Sequence, residues 1–366
     1  MLLDFFPSRT LTWYLAKTFI VRILAVLLML VLVLQMLDLL QESANILKYP
    51  GNGQDDLLRY VSLRLPQLVA RFLPYSVLLA TILTLATFSQ NSEVVAMKAA
   101  GLSAHQILAP LILTAAVISA LSFAFNDRIV TRATATLSAW DAAEFGPVPE
   151  DAAQRANVYL NDGNDVLLAT RIVGTGAATV LEGVTFYERD EGGLIVREWR
   201  APVARYAAPG WRLEQPHEFN VADARASDLA GSVIVGRGIA LDELLIRRVQ
   251  PEGESLAELS RSITALRDAG RRTAEFEGKW WHKISGPLAA LLMPLLGAVA
   301  GFGLARSGHL LARAVIGMAL GFAYFVVENA ALAMGTFGGY PPLLAAWGPF
   351  VLFFLIGETV LVRTEE

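Results

Sequence analysis

Six apolar runs set the pattern of this chain, and a long mixed region separates the third run from the fourth. A helix rises ~1.5 Å per residue, so each run is long enough to cross a hydrocarbon core of ~30 Å. The runs cover residues 19–37, 66–88, 107–125, 284–304, 311–334 and 343–362. The pattern predicts six transmembrane helices.

The mixed region carries short alternating apolar segments, which are typical of β-strands. Residues 158–160 and 166–168 flank Asp162-Gly163, a hairpin turn signal. A second hairpin is predicted from 180–188 and 194–199, with further strands at 211–213, 218–221 and 233–235. A helix follows from Ser255 to about Gly270, with one apolar stripe formed by Leu256, Leu259, Ile263 and Leu266. We expect an antiparallel meander or an open jelly roll.

Charges at the ends of the first run indicate the orientation. Arg9, Lys17 and Arg22 lie before or at its start, whereas Asp38 and Glu42 follow it. The positive-inside bias therefore places both termini in the cytoplasm and the β region outside. The predicted fold is a polytopic α-helical membrane protein with an inserted extracytoplasmic, jelly-roll-like β domain. Its parts are a first transmembrane half (1–125), the β domain with flanking helices (126–275) and a second transmembrane half (276–366).

Composition supports a bilayer as the solvent and excludes several kinds of chemistry. Of the 366 residues, 54% are hydrophobic and 17% charged, and the formal net charge of -4 argues against nucleic acid. The chain has no cysteine, so disulfides and thiolate sites are excluded. It contains no phosphate-binding loop, His-Glu-x-x-His or Gly-x-Ser-x-Gly motif, and its four histidines lack metal spacing. We expect no catalytic residue, metal or cofactor on this chain.

A short amphipathic segment, residues 91–101, lies between the second and third runs. Ser92 is placed to cap a helix, Glu93 to favour its first turn, and Gly101 to end it. The helix is too short to be stable alone in water. It is either an ordinary helical loop or a docking helix, and the residues for docking are Ser92, Glu93, Val94, Val95, Met97, Lys98 and Gly101.

Charged residues within the runs are the other exceptions, because ionisable groups in hydrocarbon are costly. Arg64 and Arg71 lie seven residues apart on one face of the second run. They either snorkel towards the interface or offer cations to an anionic ligand such as a phosphorylated lipid. Glu328 and the neighbouring Asn329 are predicted to form helix–helix hydrogen bonds. Gly297 with Gly301, and Gly317 with Gly321, would let helices approach closely.

These parts together resemble the YjgP/YjgQ permease family, the transmembrane subunits of the lipopolysaccharide exporter. The resemblance covers the whole chain and is most specific in the Ser92–Gly101 helix. It is supported by Trp281-His282-Lys283-Ile284 leading into Pro287, and by Gly339-Tyr340-Pro341-Pro342 before the last run.

The resemblance implies an inner-membrane heterodimer of two paralogous permeases, LptF and LptG. A dimer of the ATPase LptB, which holds ATP and Mg, would act from the cytoplasm, and LptC would join at the membrane. Glu93 would make the polar contact with the ATPase, while Val94, Val95 and Met97 would form an apolar seat. Lipopolysaccharide would enter between the first and fifth spans, and the β domain would pass it to the periplasmic bridge.

One position departs from the family pattern. Relatives can carry a basic residue near the outer end of the first span, where this chain has Gln35. We therefore expect Arg64 and Arg71 to contact the lipid phosphates instead. Two questions stay open. The chain could be either of the two paralogous permeases, and it could instead be a membrane-anchored envelope sensor or assembly scaffold without transport activity.

Overall fold

A computed structural model describes most of the chain. It covers residues 6–147, 155–173, 178–190, 192–221, 223–228, 231–239, 249–268, 272–301 and 310–365. The chain divides into two compact units, a helical unit formed by Met1–Leu137 with Gln250–Glu366, and a β unit formed by Ser138–Val249.

Long helices build the first unit, and they extend beyond the apolar runs that predict them. In chain order they are α1 (Arg9–Lys48), α2 (Gln54–Gln90), α3 (Glu93–Ala99), α4 (Ala104–Phe125), α5 (Thr131–Ala142), α6 (Leu256–Asp268), α7 (Ala274–Gly301), α8 (Leu310–Thr336) and α9 (Pro342–Glu365). A π-helical turn, Asn126–Val130, joins α4 to α5, so the third span continues as one rod. This continuation is not predicted by the apolar pattern, which ends at Phe125.

Five of the described helices are long and apolar enough to cross a membrane: α1, α2, the rod of α4 and α5, α8 and α9. The helical character of the membrane part is therefore confirmed. The predicted fourth run lies on α7, and its last residues, 302–304, fall outside the described part. The count of six spans stays a prediction at α7.

The core of this unit joins α2, α4, α7, α8 and α9, with fully buried side chains such as Leu85, Leu111 and Tyr324. α1 adds only a narrow stripe, which includes Leu15, Phe19 and Ile23. The rest of α1 exposes large apolar side chains, among them Leu24, Leu28 and Leu32. An apolar surface of this kind is expected of a helix whose outer face meets lipid or a second subunit.

Two glycines allow α2 to pack closely against its neighbours. A Cβ at Gly297 on α7 would lie 2.8 Å from Cγ2 of Thr81, and a Cβ at Gly321 on α8 would overlap Leu78. Both Thr81 and Leu78 are on α2. The expected close approach of helices at small residues is confirmed at these two positions.

The second unit contains an eight-stranded antiparallel sheet. Its strands are β1 (Arg155–Asp162), β2 (Asp165–Val173), β3 (Val180–Arg189), β4 (Ile195–Ala207), β5 (Gly210–Glu214), β6 (His217–Asn220), β7 (Arg225–Asp228) and β8 (Val233–Val235). The order is β1-β2-β3-β4-β5-β8, and the long β4 also pairs with β6, which pairs with β7. The described strands thus form a meander with a branch.

The hairpins follow the sequence signals. Gly163 has φ +62° at the turn between β1 and β2, a conformation that favours glycine. Leu167, Ala169, Leu181 and Trp211 are buried on the inner side of the sheet, and the Trp211 indole donates to the carbonyl of Ile239 at 3.1 Å. The strands predicted at 180–188, 194–199, 211–213, 218–221 and 233–235 are confirmed, whereas β7 is not predicted.

α6 begins as its sequence predicts. The Ser255 amide donates to Oε2 of Glu258 at 2.8 Å, and the Glu258 amide donates to the Ser255 hydroxyl at 3.3 Å, which is a capping box. These hydrogen bonds hold the pKa of Glu258 below its usual value. Leu259, Ile263 and Leu266 form the buried stripe, and α7 follows after a short connection.

Candidate functional site

The short helix α3 is defined most clearly at its C-terminal end. Gly101 has φ +87°, its amide donates to the carbonyl of Lys98, and the amide of Leu102 donates to the carbonyl of Met97. This pair of hydrogen bonds is a Schellman motif, in which glycine relieves the strain of a positive φ. The predicted stop at Gly101 is confirmed.

The N-terminal end differs from the prediction. Ser92 has φ 61° in the left-handed region, and its side chain makes no capping hydrogen bond. α2 ends only two residues before Ser92, so the chain must turn sharply there. The expected side-chain cap is therefore wrong, and Glu93 alone provides the favourable first-turn charge.

The faces of α3 are also divided differently from the prediction. Val94 is 6% and Met97 8% exposed, and both belong to the core of the helical unit. Val95 is 53% exposed, and Lys98 is also on the surface. The apolar seat predicted from Val94, Val95 and Met97 is corrected accordingly. Val94 and Met97 pack against this chain, and only Val95 is left for a partner.

Glu93 lies at the edge between the buried and exposed faces. Its Oε1 accepts a hydrogen bond from Nδ2 of Asn91 at 3.4 Å, and its Oε2 accepts one from the Tyr14 hydroxyl at 3.2 Å. Tyr14 comes from α1, 79 positions earlier in the chain. The carboxylate is therefore oriented from two sides and stays accessible to a cationic group, since a carboxylate has about four acceptor positions.

A second candidate region is a cavity of about 700 Å³ near the other end of α2. Its walls come from α2, the end of α4 with the π-helical turn, α7 and α8. Both signs of charge line it, with Arg64, Arg71, Lys279 and Lys283 facing Asp127, Glu252, Glu275 and Glu328. Lys279 pairs with Glu252 at 3.3 Å. The cavity is thus a polar chamber of mixed charge.

The two arginines of this chamber are in different states. Arg64 holds Asp38 of α1 through Nε and Nη2, with Nη2 to Oδ1 at 2.9 Å, and its Nη1 donates to Gln67 at 2.6 Å. The Tyr60 hydroxyl donates to the same Asp38 at 2.6 Å. Arg71 is exposed and forms no ion pair or hydrogen bond with any described residue. Arg64 is therefore neutralised within the chain, whereas Arg71 is not paired with any described residue.

Gln35 is not brought together with these arginines. It is 7% exposed on α1, it does not line the cavity, and both atoms of its side-chain amide lack a hydrogen-bond partner among the described residues. The grouping of Gln35 with Arg64 and Arg71 as lipid contacts is thus not reproduced by the geometry.

Glu328 and Asn329 make hydrogen bonds within their own helix. Glu328 is 5% exposed and accepts from the Tyr324 hydroxyl at 3.0 Å, while Asn329 donates to the carbonyl of Phe325 at 2.7 Å. On α7, Nδ1 of His282 lies 3.7 Å from Oε1 of Glu328, which is beyond hydrogen-bonding distance. The predicted helix–helix hydrogen bonds are therefore corrected to bonds one turn apart on α8.

Three residues of these regions were not predicted as partners: Tyr14, Asp38 and His282. α1 and α2 form a helical hairpin about Gly51, and Asp38 and Arg64 lie equally far from that glycine. The same holds for Tyr14 and Phe88, whose ring centroids lie 5.7 Å apart. Counting outward from the turn could have found both pairs. No comparable signal links His282 to Glu328.

Long apolar helices, a β unit inserted among them and a surface helix with an oriented acid define a polytopic membrane protein of the permease class. The chain belongs to the family described as lipopolysaccharide export system permease LptF/LptG, which it matches over residues 13–363. It is an inner-membrane protein of that family.

Curated relatives agree with this membership. The chain is 26% identical over 367 residues to lipopolysaccharide export system permease protein LptG of Escherichia coli K12, covering 98% of this chain and 99% of the relative. It is 24% identical over 375 residues to LptG of Haemophilus influenzae, again over 98% and 99% of the two chains.

Proposed function

We propose that this chain is the LptG-type subunit of an ATP-driven exporter that extracts lipopolysaccharide from the inner membrane. In this role it pairs with LptF, receives LptC at the membrane and passes lipopolysaccharide through its β unit to the periplasmic bridge. Both termini and α3 face the cytoplasm, and the β unit faces the periplasm. The chain hydrolyses no ATP itself, since its sequence contains no phosphate-binding loop.

The observation that carries the proposal is the outer surface of α3. Glu93 is held by Tyr14 and Asn91 with acceptor positions remaining, and Val95 is exposed beside it. An oriented carboxylate next to a small apolar contact suits a groove with a basic rim. This surface would dock an LptB subunit, which supplies the energy.

The lipid proposal rests on Arg71. Arg64 and Arg71 both line the chamber, and because Arg64 is engaged by Asp38, Arg71 is the one of the two available for a lipid phosphate. Arg64 then has the structural task of holding α1 against α2.

The coupling role is tested by replacing Glu93 with Ala and with Lys in the purified complex. We expect Glu93→Ala to weaken retention of LptB about tenfold, as loss of one charge-assisted contact would, and Glu93→Lys to abolish retention by repulsion. Retention is measured by co-purification, with thermal unfolding as the check on folding. Glu42→Lys, at the other end of α1, is the control and should retain LptB. Full retention in both Glu93 variants would refute the docking role.

A further inference from the structure

The hydrogen bond between Tyr14 and Glu93 connects two elements that are far apart in sequence. Among the described contacts of the Glu93 side chain, the one with Asn91 stays within the turn before α3. The other contact, with the Tyr14 hydroxyl at 3.2 Å, comes from the long helix α1. The position of the Glu93 carboxylate therefore depends on the position of α1.

The end of α1 that carries Tyr14 is itself attached to the last turns of α2. The Tyr14 ring packs against Phe88 with centroids 5.7 Å apart. About two turns further along α1, Nη1 of Arg22 donates to the carbonyl of Leu83 at 2.8 Å, and its guanidinium carbon lies 5.8 Å from the centroid of Phe88. Arg22 and Tyr14 thus hold α1 beside Phe88, two residues before the end of α2.

α1 and α3 both contribute side chains to the core of the helical unit. Leu15 and Phe19 of α1 are fully buried and share the core with Val94 and Met97 of α3. The body of α3 is thereby seated by apolar contacts, whereas its acidic group is reached by a single exposed hydrogen bond. Removing that hydrogen bond leaves the seat of α3 intact.

We propose that Tyr14 is a positioning residue that links Glu93 to α1, so that displacement of Glu93 by the docked ATPase is passed to the first helix. The inference rests on the proposed function and deepens it. The hydroxyl suits this task because it is a neutral donor, which orients the carboxylate without cancelling its charge. The link is exposed at the surface, so it can break and form again during each cycle.

The test uses Tyr14→Phe in the complete complex in proteoliposomes, because phenylalanine keeps the ring against Phe88 and removes only the hydroxyl. ATP hydrolysis, LptB retention and lipopolysaccharide released per ATP are measured together. We expect LptB retention and ATP hydrolysis within twofold of the parent complex, and a fall of three- to tenfold in lipopolysaccharide released per ATP. Tyr340→Phe, which removes a hydroxyl bonded to the carbonyl of Ala331 at 2.6 Å, is the matched control and should keep the parent ratio.

A double-variant cycle then separates linkage from general damage. If Tyr14 acts through Glu93, Tyr14→Phe should lower the ratio no further when Glu93→Ala, which removes the acceptor, is already present. An unchanged ratio in Tyr14→Phe, or additive losses in the double variant, would overturn the inference while leaving LptB docking intact. If instead the parent complex retains no LptB, the proposed function is refuted, and the inference about Tyr14, which rests on it, is refuted as well.

Discussion

The two ends of α2 treat polar groups in opposite ways. At the α3 end, Glu93 lies at the surface and is oriented by single hydrogen bonds from Tyr14 and Asn91. At the chamber end, Arg64 and Asp38 are only 29% and 21% exposed and are joined by several hydrogen bonds between α1 and α2. Glu93 keeps its charge available, whereas Arg64 and Asp38 neutralise each other.

This difference separates a docking surface, formed by Glu93 on α3, from a structural joint, the ion pair of Asp38 and Arg64 that connects α1 to α2. A surface contact of one hydrogen bond is worth little to stability, so a partner can replace it at low cost. A partly buried ion pair is different, because removing one partner leaves a charge that water cannot fully solvate. We therefore expect substitutions of Arg64 or Asp38 to change stability, and substitutions on the outer side of α3 to change partner binding.

The largest stability effect is expected for Arg64→Gln. Among the described residues it leaves Asp38 with only the Tyr60 hydroxyl as a donor, so the free energy of unfolding should fall by about 3 kcal/mol. Arg71→Gln is the matched control on the same helix and should change stability by less than ~0.5 kcal/mol. Both are measured by thermal unfolding of the purified protein in detergent. Adding Asp38→Asn to Arg64→Gln should restore most of the loss.

The same pair separates the structural role from the lipid role. Arg71→Gln should lower photo-crosslinking of lipopolysaccharide to the chamber several-fold, because it removes the available cation. Equal stability losses in Arg64→Gln and Arg71→Gln would contradict the assignment of a structural role to Arg64 and a ligand-binding role to Arg71. Unchanged crosslinking in Arg71→Gln would remove Arg71 from the lipid site.

Much of this architecture could be predicted from the sequence, because the responsible signals are local. The apolar runs locate the long helices, and Asp162-Gly163 locates the first hairpin. Ser255 with Glu258 locates the start of α6. In each case residues close together in the sequence meet one physical requirement, such as satisfying backbone groups in lipid or allowing a positive φ.

The remaining features depend on contacts that no local pattern reports. β7 reads Arg-Ala-Ser-Asp, with no alternation of apolar residues, and it becomes a strand because β6 offers it an edge. Val94, Val95 and Met97 are all apolar, so the sequence of α3 does not show which of them faces the core. The pairing of Asp38 with Arg64 could have been predicted from their equal distance to Gly51, once the helices were known to extend beyond the apolar runs.

A smaller effect is expected within α3, where two adjacent valines form an internal comparison. Val94→Ala removes buried methyl groups and should lower stability by about 2 kcal/mol, whereas Val95→Ala should cost less than ~0.5 kcal/mol. Thermal unfolding measures both variants, and co-purification reports LptB. Val95→Ala should reduce LptB retention although its stability is unchanged. Equal stability losses would mean that the two faces of α3 are equally buried in solution.

The smallest effect is expected at a polar cluster near the start of α7, which lies outside both regions. The Thr273 hydroxyl donates to Glu277 at 2.5 Å and Nη2 of Arg267 does so at 2.8 Å, and these contacts hold the pKa of Glu277 below its usual value. A lowered carboxyl pKa stabilises the fold above the unfolded-state pKa of about 4.5, and this contribution is lost as the pH falls through the folded-state value.

Thr273→Val should therefore lower the free energy of unfolding by about 0.5–1 kcal/mol at pH 7, and the difference from the parent should shrink below pH 4.5. Unfolding midpoints in detergent at neutral and acidic pH measure the change, with Thr264→Val on the exposed face of α6 as the control. If Thr273→Val lowered the free energy of unfolding as much as Arg64→Gln, the Thr273–Glu277 contact would stabilise the fold as much as the Asp38–Arg64 pair. A loss of the expected size would place the structural joint at Asp38 and Arg64, where the hydrogen bonds are both numerous and shielded.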